Sequence, residues 1–335
     1  MNNTTEFELY KERANFIATE SVRQLGNLVL GNTMSKIGLT VGLMTNSHVS
    51  FVSEPGTGKS TLVLNADRLF DDITEEEVAK IPASSTMTDK MLFGSKVVLK
   101  NEVIETTGLI KEKTKLLLLS EGSRLSPFAV NPLNDLLLDK KFTKIGDDKE
   151  LVMSNFRSAI LAYNLTDNGD GIFTLSDAFR SRFSITCLGE ELSTAESTLV
   201  RGGWQPEPDK IQHVMSTDMA DSIANYAKEK IVIPDNVDKE MAEDERIARS
   251  YLDRKLYYRE GPRLTNQLGK IARTLYLMNN GSWDEFELAQ LNGRTLTVPQ
   301  TALALVIPSR LAGGSYSKHN NLDVKLAEVL DEIRA

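Results

Sequence analysis

Apolar residues in the first part of the chain recur at spacings near three and four: Phe7, Tyr10, Ala14, Ile17, Val22, Leu25, Leu28 and Leu30. That period predicts helices over residues 5 to 44, with a break near Gly31. The pattern then changes. His48-Val-Ser-Phe-Val52 reads as a short strand running into a Gly-rich turn, after which Leu62, Val63, Ala66 and Leu69 restore a helical period. Ile81 to Ser85 reads as the next strand, and 97 to 110 as short strand-like pieces. The four leucines Leu116 to Leu119 fit a strand buried on both faces. A helix over 127–139 and a buried strand from Phe156 to Tyr163 follow. From about residue 205 the pattern becomes helical, with Gln205-Pro-Glu-Pro-Asp209 as the hinge. Residues 235 to 260 mix both charge signs at helical spacing and read as an exposed helix face. Strands alternating with helices predict an α/β fold with a mostly parallel sheet flanked by helices. The expected layout is a helical segment over 1–44, an α/β core over 45–204 and a small all-helical lid over 205–335.

Composition narrows the class. At 41% apolar and 26% charged, the 335 residues are those of an ordinary globular protein, long enough for a core and a lid. Lys plus Arg number 39 against 47 Asp plus Glu, a net charge of −8, and no basic run offsets it, which disfavours a nucleic-acid surface. The single cysteine, Cys187, excludes an internal disulfide, reads as a buried spacer, and fits a reducing compartment without requiring one. Glu6, Glu8, Lys11, Glu12 and Arg13 are the wrong chemistry for a signal peptide, and no apolar run reaches the roughly 18 residues that span a bilayer. The expectation is a cytoplasmic protein with no membrane partner.

The chemistry concentrates after the first strand. Polyphosphate binding needs inward-turned amides at a helix start, Gly where a side chain would collide, a Lys for the outer phosphates and a hydroxyl for Mg²⁺. Ser53-Glu-Pro-Gly-Thr-Gly-Lys-Ser60 supplies these, apart from Ser53 standing where the pattern has its first Gly. Pro55, Gly56, Thr57, Gly58, Lys59, Ser60 and Thr61 are therefore the candidate nucleotide-binding residues, with Lys59 on the β and γ phosphates and Ser60 on the metal. A buried strand ending in acidic residues is the expected second element. Leu116-Leu-Leu-Leu-Ser120-Glu121 has that form: Glu121 is placed to orient the attacking water, while Ser120 occupies the usual position of a metal-facing Asp.

From about residue 45 to 312 the chain resembles the MoxR-like branch of AAA+ ATPases, which includes the CbbQ and NorQ activators and is related to the magnesium chelatase ATPase subunit. Glu54 to Ser60 matches the phosphate loop, and Thr88-Asp-Lys-Met-Leu-Phe-Gly94 the segment entering the branch's helix-2 insertion. Ser120-Glu-Gly-Ser-Arg124-Leu-Ser-Pro127 is similar to its Asp-Glu-Ile-Asn-Arg stretch. Ala162-Tyr-Asn164-Leu resembles the sensor-1 strand. Leu175-Ser-Asp-Ala178 and Ser181-Arg182-Phe183 resemble the region of the Asp-Arg-Phe finger motif, and Gly261-Pro262-Arg263 resembles sensor 2. Gly293-Arg294 through Pro299 to Arg310-Leu311 is similar to the branch's C-terminal lid helices. The resemblance implies a P-loop AAA+ ATPase that binds ATP and Mg²⁺ and assembles into a homo-oligomeric ring, usually hexameric. Asn164 would orient water alongside Glu121, Arg182 would reach the neighbour's γ-phosphate, and Arg263 would contact its own nucleotide. Ser181 stands where the motif has an acid, leaving Arg180 as a rival finger. In such rings the client is a protein, often with a partner carrying a von Willebrand A-type domain.

Several other signals have plainer readings. Asp71 to Glu77 is a solvated connection. Thr166 to Asp177 has calcium-loop spacing, but with Thr first and Asp last it reads as a Gly-rich turn. His48, His213 and His319 lack partners at zinc-ligand spacing, and Trp204 and Trp283 read as packing anchors rather than base-stacking platforms. Two alternatives to a client-remodelling ATPase stay open. Ser120 suggests a nucleotide-gated assembly protein that hydrolyses little, and a DNA-directed motor like the McrB-type relatives would keep nucleic acid as a partner.

Overall fold

A computed structural model gives the fold and describes residues 3–53, 56–99, 102–147, 149–164, 173, 175–189, 192–250, 254–291 and 293–308. Of residues 3, 99, 102, 177, 249–250 and 254–264 it describes the backbone alone. Two helices open the chain, α1 (Asn3–Leu25) and α2 (Thr33–Met44). The core then runs β1 (Val49–Val52), α3 (Lys59–Leu64), β2 (Val78–Pro82), α4 (Asp89–Phe93) and a hairpin of β3 (Gly94–Leu99) and β4 (Glu102–Thr107). It continues through β5 (Leu116–Ser120), α5 (Pro127–Asp139), a hairpin of β6 (Lys141–Thr143) and β7 (Glu150–Val152), and β8 (Ser158–Tyr163). After α6 (Asp177–Arg180), β9 (Ile185–Leu188) and α7 (Thr194–Arg201) come α8 (Thr217–Lys230), α9 (Asp235–Ser250) and α10 (Arg254–Met278). A third hairpin, β10 (Glu285–Leu291) and β11 (Arg294–Thr297), leads into α11 (Val298–Val306).

Five strands form one sheet in the order β2-β5-β8-β1-β9, and every neighbouring pair is parallel. Parallel strands are covered on both faces, which is why they read as continuous apolar runs. Leu116 to Leu119 and Ser158 to Tyr163 are buried throughout. Helix α2 sits unusually close to β1 and β9. A Cβ on Gly38 would stand 2.4 Å from Cys187 Sγ, and one on Gly42 only 2.1 Å from Val49 Cγ2. The two glycines, one helical turn apart, thus set the packing distance, and Cys187 is the small buried spacer expected of it.

The elements differ from the sequence expectation in instructive places. The second strand spans Val78–Pro82 rather than 81 to 85, because its pairing with β5 ends opposite Ser120. It is an outer strand of the sheet, where Pro82 is tolerated. The pieces in 97 to 110 are the two arms of one hairpin. The C-terminal region is helical as expected, with the β10–β11 hairpin added to it. Helix α9 is not simply an exposed face: Val237, Met241, Asp244, Glu245 and Ala248 are buried, and the helix packs against α11. Among the described residues no helix is long and apolar enough to cross a membrane.

The helical C-terminal part is bonded to the core at specific points. Arg157, ahead of β8, donates from both terminal nitrogens to Asp221 on α8 at 2.8 and 2.9 Å, and Asn46 Nδ2 donates to the same carboxylate at 2.8 Å. On α10, Gln267 Nε2 donates to Ser184 Oγ at 2.8 Å.

Candidate nucleotide-binding site

The turn after β1 has the backbone a phosphate loop requires. Gly56 and Gly58 adopt φ of +86° and +82°, a region that side-chain-bearing residues avoid. Gly58 has a second reason to lack a side chain, since a Cβ there would stand 2.6 Å from Val29 Cγ2. Lys59 opens α3 and is 8% exposed; its ammonium donates to the Ser53 carbonyl at 2.9 Å and faces Thr57 Oγ1 at 3.5 Å. A buried ammonium must be bonded, and these bonds hold it at the loop. Pro55 lies outside the described residues.

Ser53 departs from the motif without straining the loop. It is not among the described residues with positive φ, so the position needs room rather than glycine's conformational freedom. Gly189, just past β9, provides the room: a Cβ there would lie 2.4 Å from Ser53 Cβ and 2.5 Å from its Oγ. The Ser53 hydroxyl instead shares a hydrogen bond with the Thr57 hydroxyl. No local motif contains this exchange of a glycine between positions 53 and 189.

Beside the loop, the β2–β5 ladder ends with Ser120, whose carbonyl accepts from Ala83 N at 2.9 Å. Glu121 follows in the left-handed region, φ +55°, a conformation few non-glycine residues adopt. Its carboxylate is bonded to Arg124 Nε at 2.9 Å, and both side chains are more than half exposed. Such a pair contributes under about 1 kcal/mol. It orients the acid without locking it. Ser120 itself is 4% exposed.

Glu121 and Asn164 meet Gly56 to Thr61 around one cleft of about 980 Å³. Its outer walls come from the α1–α2 connection, with Val29 and Leu30, and from the region of α7, with Val200, Trp204 and Pro206. A wide, part-apolar cleft with a phosphate loop at its floor suits a nucleotide, base outward and phosphates inward. Trp204 is half-buried in that wall. Trp283 is a packing anchor, stacked on Tyr276 with centroids 4.6 Å apart. Tyr163, at the cleft's inner edge, has its phenol pushed up to about 12 by burial, with Arg180's charge pulling the other way.

The candidate arginines separate. Arg180 is 9% exposed, so its side chain is held within its own core, and it lies close enough to Tyr163 to favour the phenolate there. Arg182 does not line the cleft. It stands half-buried in a second cavity of about 220 Å³, with His48, Leu137, Ser184, Gln267 and Lys270. Both nitrogens of His48 are committed, Nε2 to Leu137 O and Nδ1 accepting from Ala159 N, each at 3.0 Å. Arg263 lies on α10, but its side chain is outside the described residues, as are residues 166–172 of the calcium-like turn and Arg310-Leu311.

Comparison with known proteins bears on this arrangement. Residues 48–183 match the family of AAA domains, dynein-related subfamily. The AAA segment takes in the phosphate loop, Glu121, Asn164 and the turn carrying Arg182, and stops before Arg263. A crystal structure of a protein from Cytophaga hutchinsonii, described as a "putative ATPase", superposes with a TM-score of 0.67 at 16% identity. The match covers 98% of this chain and 96% of that one, so the similarity in fold extends beyond the AAA segment on both sides. No curated protein matches the chain in sequence.

Proposed function

We propose that this chain is a Mg²⁺-dependent ATPase of the AAA+ class that works as a homo-oligomeric ring, usually hexameric in such proteins, and remodels or activates a protein client in the manner of the MoxR-like branch. One observation carries the reading: the phosphate loop, an acid at a buried strand end and a polar residue at the end of the adjacent strand converge on a single cleft. The residues fit the ligand. Two positive-φ glycines and a buried, bonded ammonium form a cradle for phosphate oxygens, and the walls offer apolar surface to a base. The amides of Gly56 to Ser60, with Thr61 behind them, and the Lys59 ammonium would hold the triphosphate, and the Ser60 hydroxyl would hold Mg²⁺. The metal, when bound, supplies charge neutralisation at the outer phosphates. Pro55 belongs to the same loop in this reading. Ser120 adds no carboxylate.

Glu121 would orient the attacking water and accept its proton, with the Asn164 amide fixing the water from the neighbouring strand. Arg263 on α10 would sense the nucleotide from its own chain. Arg182 would serve the site of an adjacent copy, since it stands half-buried in a cavity apart from its own chain's cleft, whereas Arg180 is buried. We divide the chain into a helical segment at 1–44, the ATPase core at 45–204 and the lid from 205, and expect a cytoplasmic protein with no membrane partner. A von Willebrand A-type partner fits the resemblance.

The second reading, a nucleotide-gated assembly protein with weak hydrolysis, is favoured by Ser120 alone. Phosphate release measured for the unaltered chain, Glu121→Gln and Ser120→Asp separates the two. The ATPase reading expects Glu121→Gln to bind nucleotide normally and lose at least about a hundredfold in turnover. An unaltered chain as inactive as Glu121→Gln, together with a gain from Ser120→Asp, establishes the assembly switch instead. A basic pore with DNA-stimulated, salt-sensitive turnover would point to the DNA-directed motor.

A further inference from the structure

The cavity that holds Arg182 has a chemistry of its own. The ionisable side chains lining it are Arg182, Lys270 and a His48 whose two ring nitrogens are already bonded. Among the described residues no carboxylate lines it, and Lys140 and Lys228 lie near enough to Lys270 for their charges to oppose its protonation. Asp221, an acid on the adjoining α8, is occupied by Arg157 and Asn46. Two cations brought together without an anion repel each other, and removal from water raises that cost.

The polar groups are also incompletely satisfied. Arg182 Nε is buried and makes no hydrogen bond among the described residues, and Gln267 Oε1 is in the same state. Lys270 donates to the Thr45 carbonyl at the end of α2 and to Ser47 Oγ at 3.3 Å, which leaves one of its three donors. A buried donor left unmade costs roughly 1–3 kcal/mol, so such groups are normally completed by a partner. Here the donors come from two elements: the turn after α6 brings Arg182, and α10 brings Lys270.

We propose that this cavity is an oxyanion site, built by Arg182 and Lys270 together and sized for one tetrahedral phosphate with its waters. Gln267 adds shape and an acceptor for water, and Ser184 Oγ is held in place by Gln267 Nε2. The site is separate from the phosphate loop and shares no lining residue with it. Because α10 contributes the ammonium and the α6 turn the guanidinium, occupancy ties the lid helix to the finger turn. The oxyanion has two sources, free phosphate or the terminal phosphate of a nucleotide held by an adjacent copy. The second rests on the ring reading above; the first does not.

Inorganic phosphate, titrated calorimetrically into the Lys59→Ala chain at constant ionic strength, tests the site with the main loop weakened. The expected result is one site per chain, weakened at least tenfold by either Arg182→Gln or Lys270→Met added to Lys59→Ala. Lys270→Arg keeps the charge and should keep binding, which distinguishes lost charge from lost folding because Lys270 also caps α2. Phosphate binding that is absent from Lys59→Ala, or indifferent to both cavity substitutions, overturns the proposal. For the source, Lys59→Ala chains are mixed with Lys270→Met chains. Turnover above the sum of the separate proteins identifies the neighbour's nucleotide, and simple additivity alongside intact phosphate binding identifies free phosphate.

Discussion

Replacing Gly189 by Ala should disturb the phosphate loop from the end of the adjacent strand. The backbone permits the change, since Gly189 is not in the positive-φ region. The obstacle is space. The added Cβ would stand 2.4 Å from Ser53 Cβ and 2.5 Å from Ser53 Oγ, about 1 Å inside ordinary contact. Overpacking of that size costs about 2 kcal/mol. If Ser53 yields, its carbonyl moves, and that carbonyl is an acceptor of the Lys59 ammonium. Nucleotide affinity should then fall by roughly ten- to thirtyfold. Ser53→Gly alone should cost about 1 kcal/mol, from the lost hydroxyl pair with Thr57 and the freer backbone. The double variant is the decisive measurement. With the Ser53 side chain removed, the next atom met by a Cβ at position 189 is Thr57 Oγ1 at 3.4 Å, an acceptable contact. Stability and nucleotide affinity of the double variant should match Ser53→Gly, giving a coupling near 2 kcal/mol. Urea unfolding and fluorescent-nucleotide titration of all four proteins measure both quantities. Additive effects within about 0.5 kcal/mol, or a neutral Gly189→Ala, would refute the reciprocal packing of positions 53 and 189.

Three further outcomes concern the helical C-terminal part and its tie to the core. Arg157→Ala removes two charge-assisted bonds from a nearly buried guanidinium, and with the half-exposed Asp221 left partly hydrated the loss should be about 2–3 kcal/mol by urea unfolding. Burial works to raise the Asp221 carboxyl, but bonds from Arg157 and Asn46 outweigh it and leave it below its ordinary 3.8. A depressed acid stabilises the fold above its unfolded value and loses that contribution as pH falls through the folded one, so Asp221→Asn should flatten the acid side of the stability profile. Asp244 behaves oppositely: burial, then Glu240 and Glu243, push it from 3.8 up to about 7. Its folded form holds the proton more tightly, so stability should fall as pH rises from about 4 to 7 and level off above. Asp244→Asn should abolish that slope and stabilise the protein by up to about 4 kcal/mol at pH 8. A slope unchanged by the substitution would remove Asp244 as its source.

What the sequence disclosed depended on how local the physical requirement was. Strands β5 and β8 are buried on both faces and announce themselves as apolar runs, whereas β2 alternates burial along Val78–Pro82 and its pattern reads three residues too late. Helix α5 begins at Pro127, as read, because the Ser126 hydroxyl accepts from Ala129 N and Pro suits the first turn. The β10–β11 hairpin is hidden in the sequence because an irregularity between Phe286 and Gln290 breaks its alternation. In α9 the charges mask a buried stripe that includes two acids. In the site, the loop glycines, Lys59 and Glu121 are contiguous signals. The cleft walls are not: Val29 and Trp204 lie far apart in sequence, as do Ser53 and Gly189.

Ser120 shows how fold and site constrain each other. The carbonyl of residue 120 is held by Ala83 N at the end of the β2–β5 pairing, and the chain then enters the left-handed region at Glu121. Its side chain, 4% exposed, therefore sits on a rigid strand end rather than on an adjustable loop. A carboxylate placed there by Ser120→Asp would be buried without a described cationic partner, a costly state for a charge unless a cation completes it. The nucleotide-free variant should then be less stable than the unaltered chain, and the deficit should shrink when Mg²⁺ and nucleotide are added together but not when nucleotide is added with a chelator. Serine avoids the charge when no metal is present. A strand end carrying Ser and Glu would thus, in the proposed reading, keep the group that orients water while giving up one that would help hold Mg²⁺, and slow, nucleotide-retaining turnover is the kinetic consequence expected of that combination.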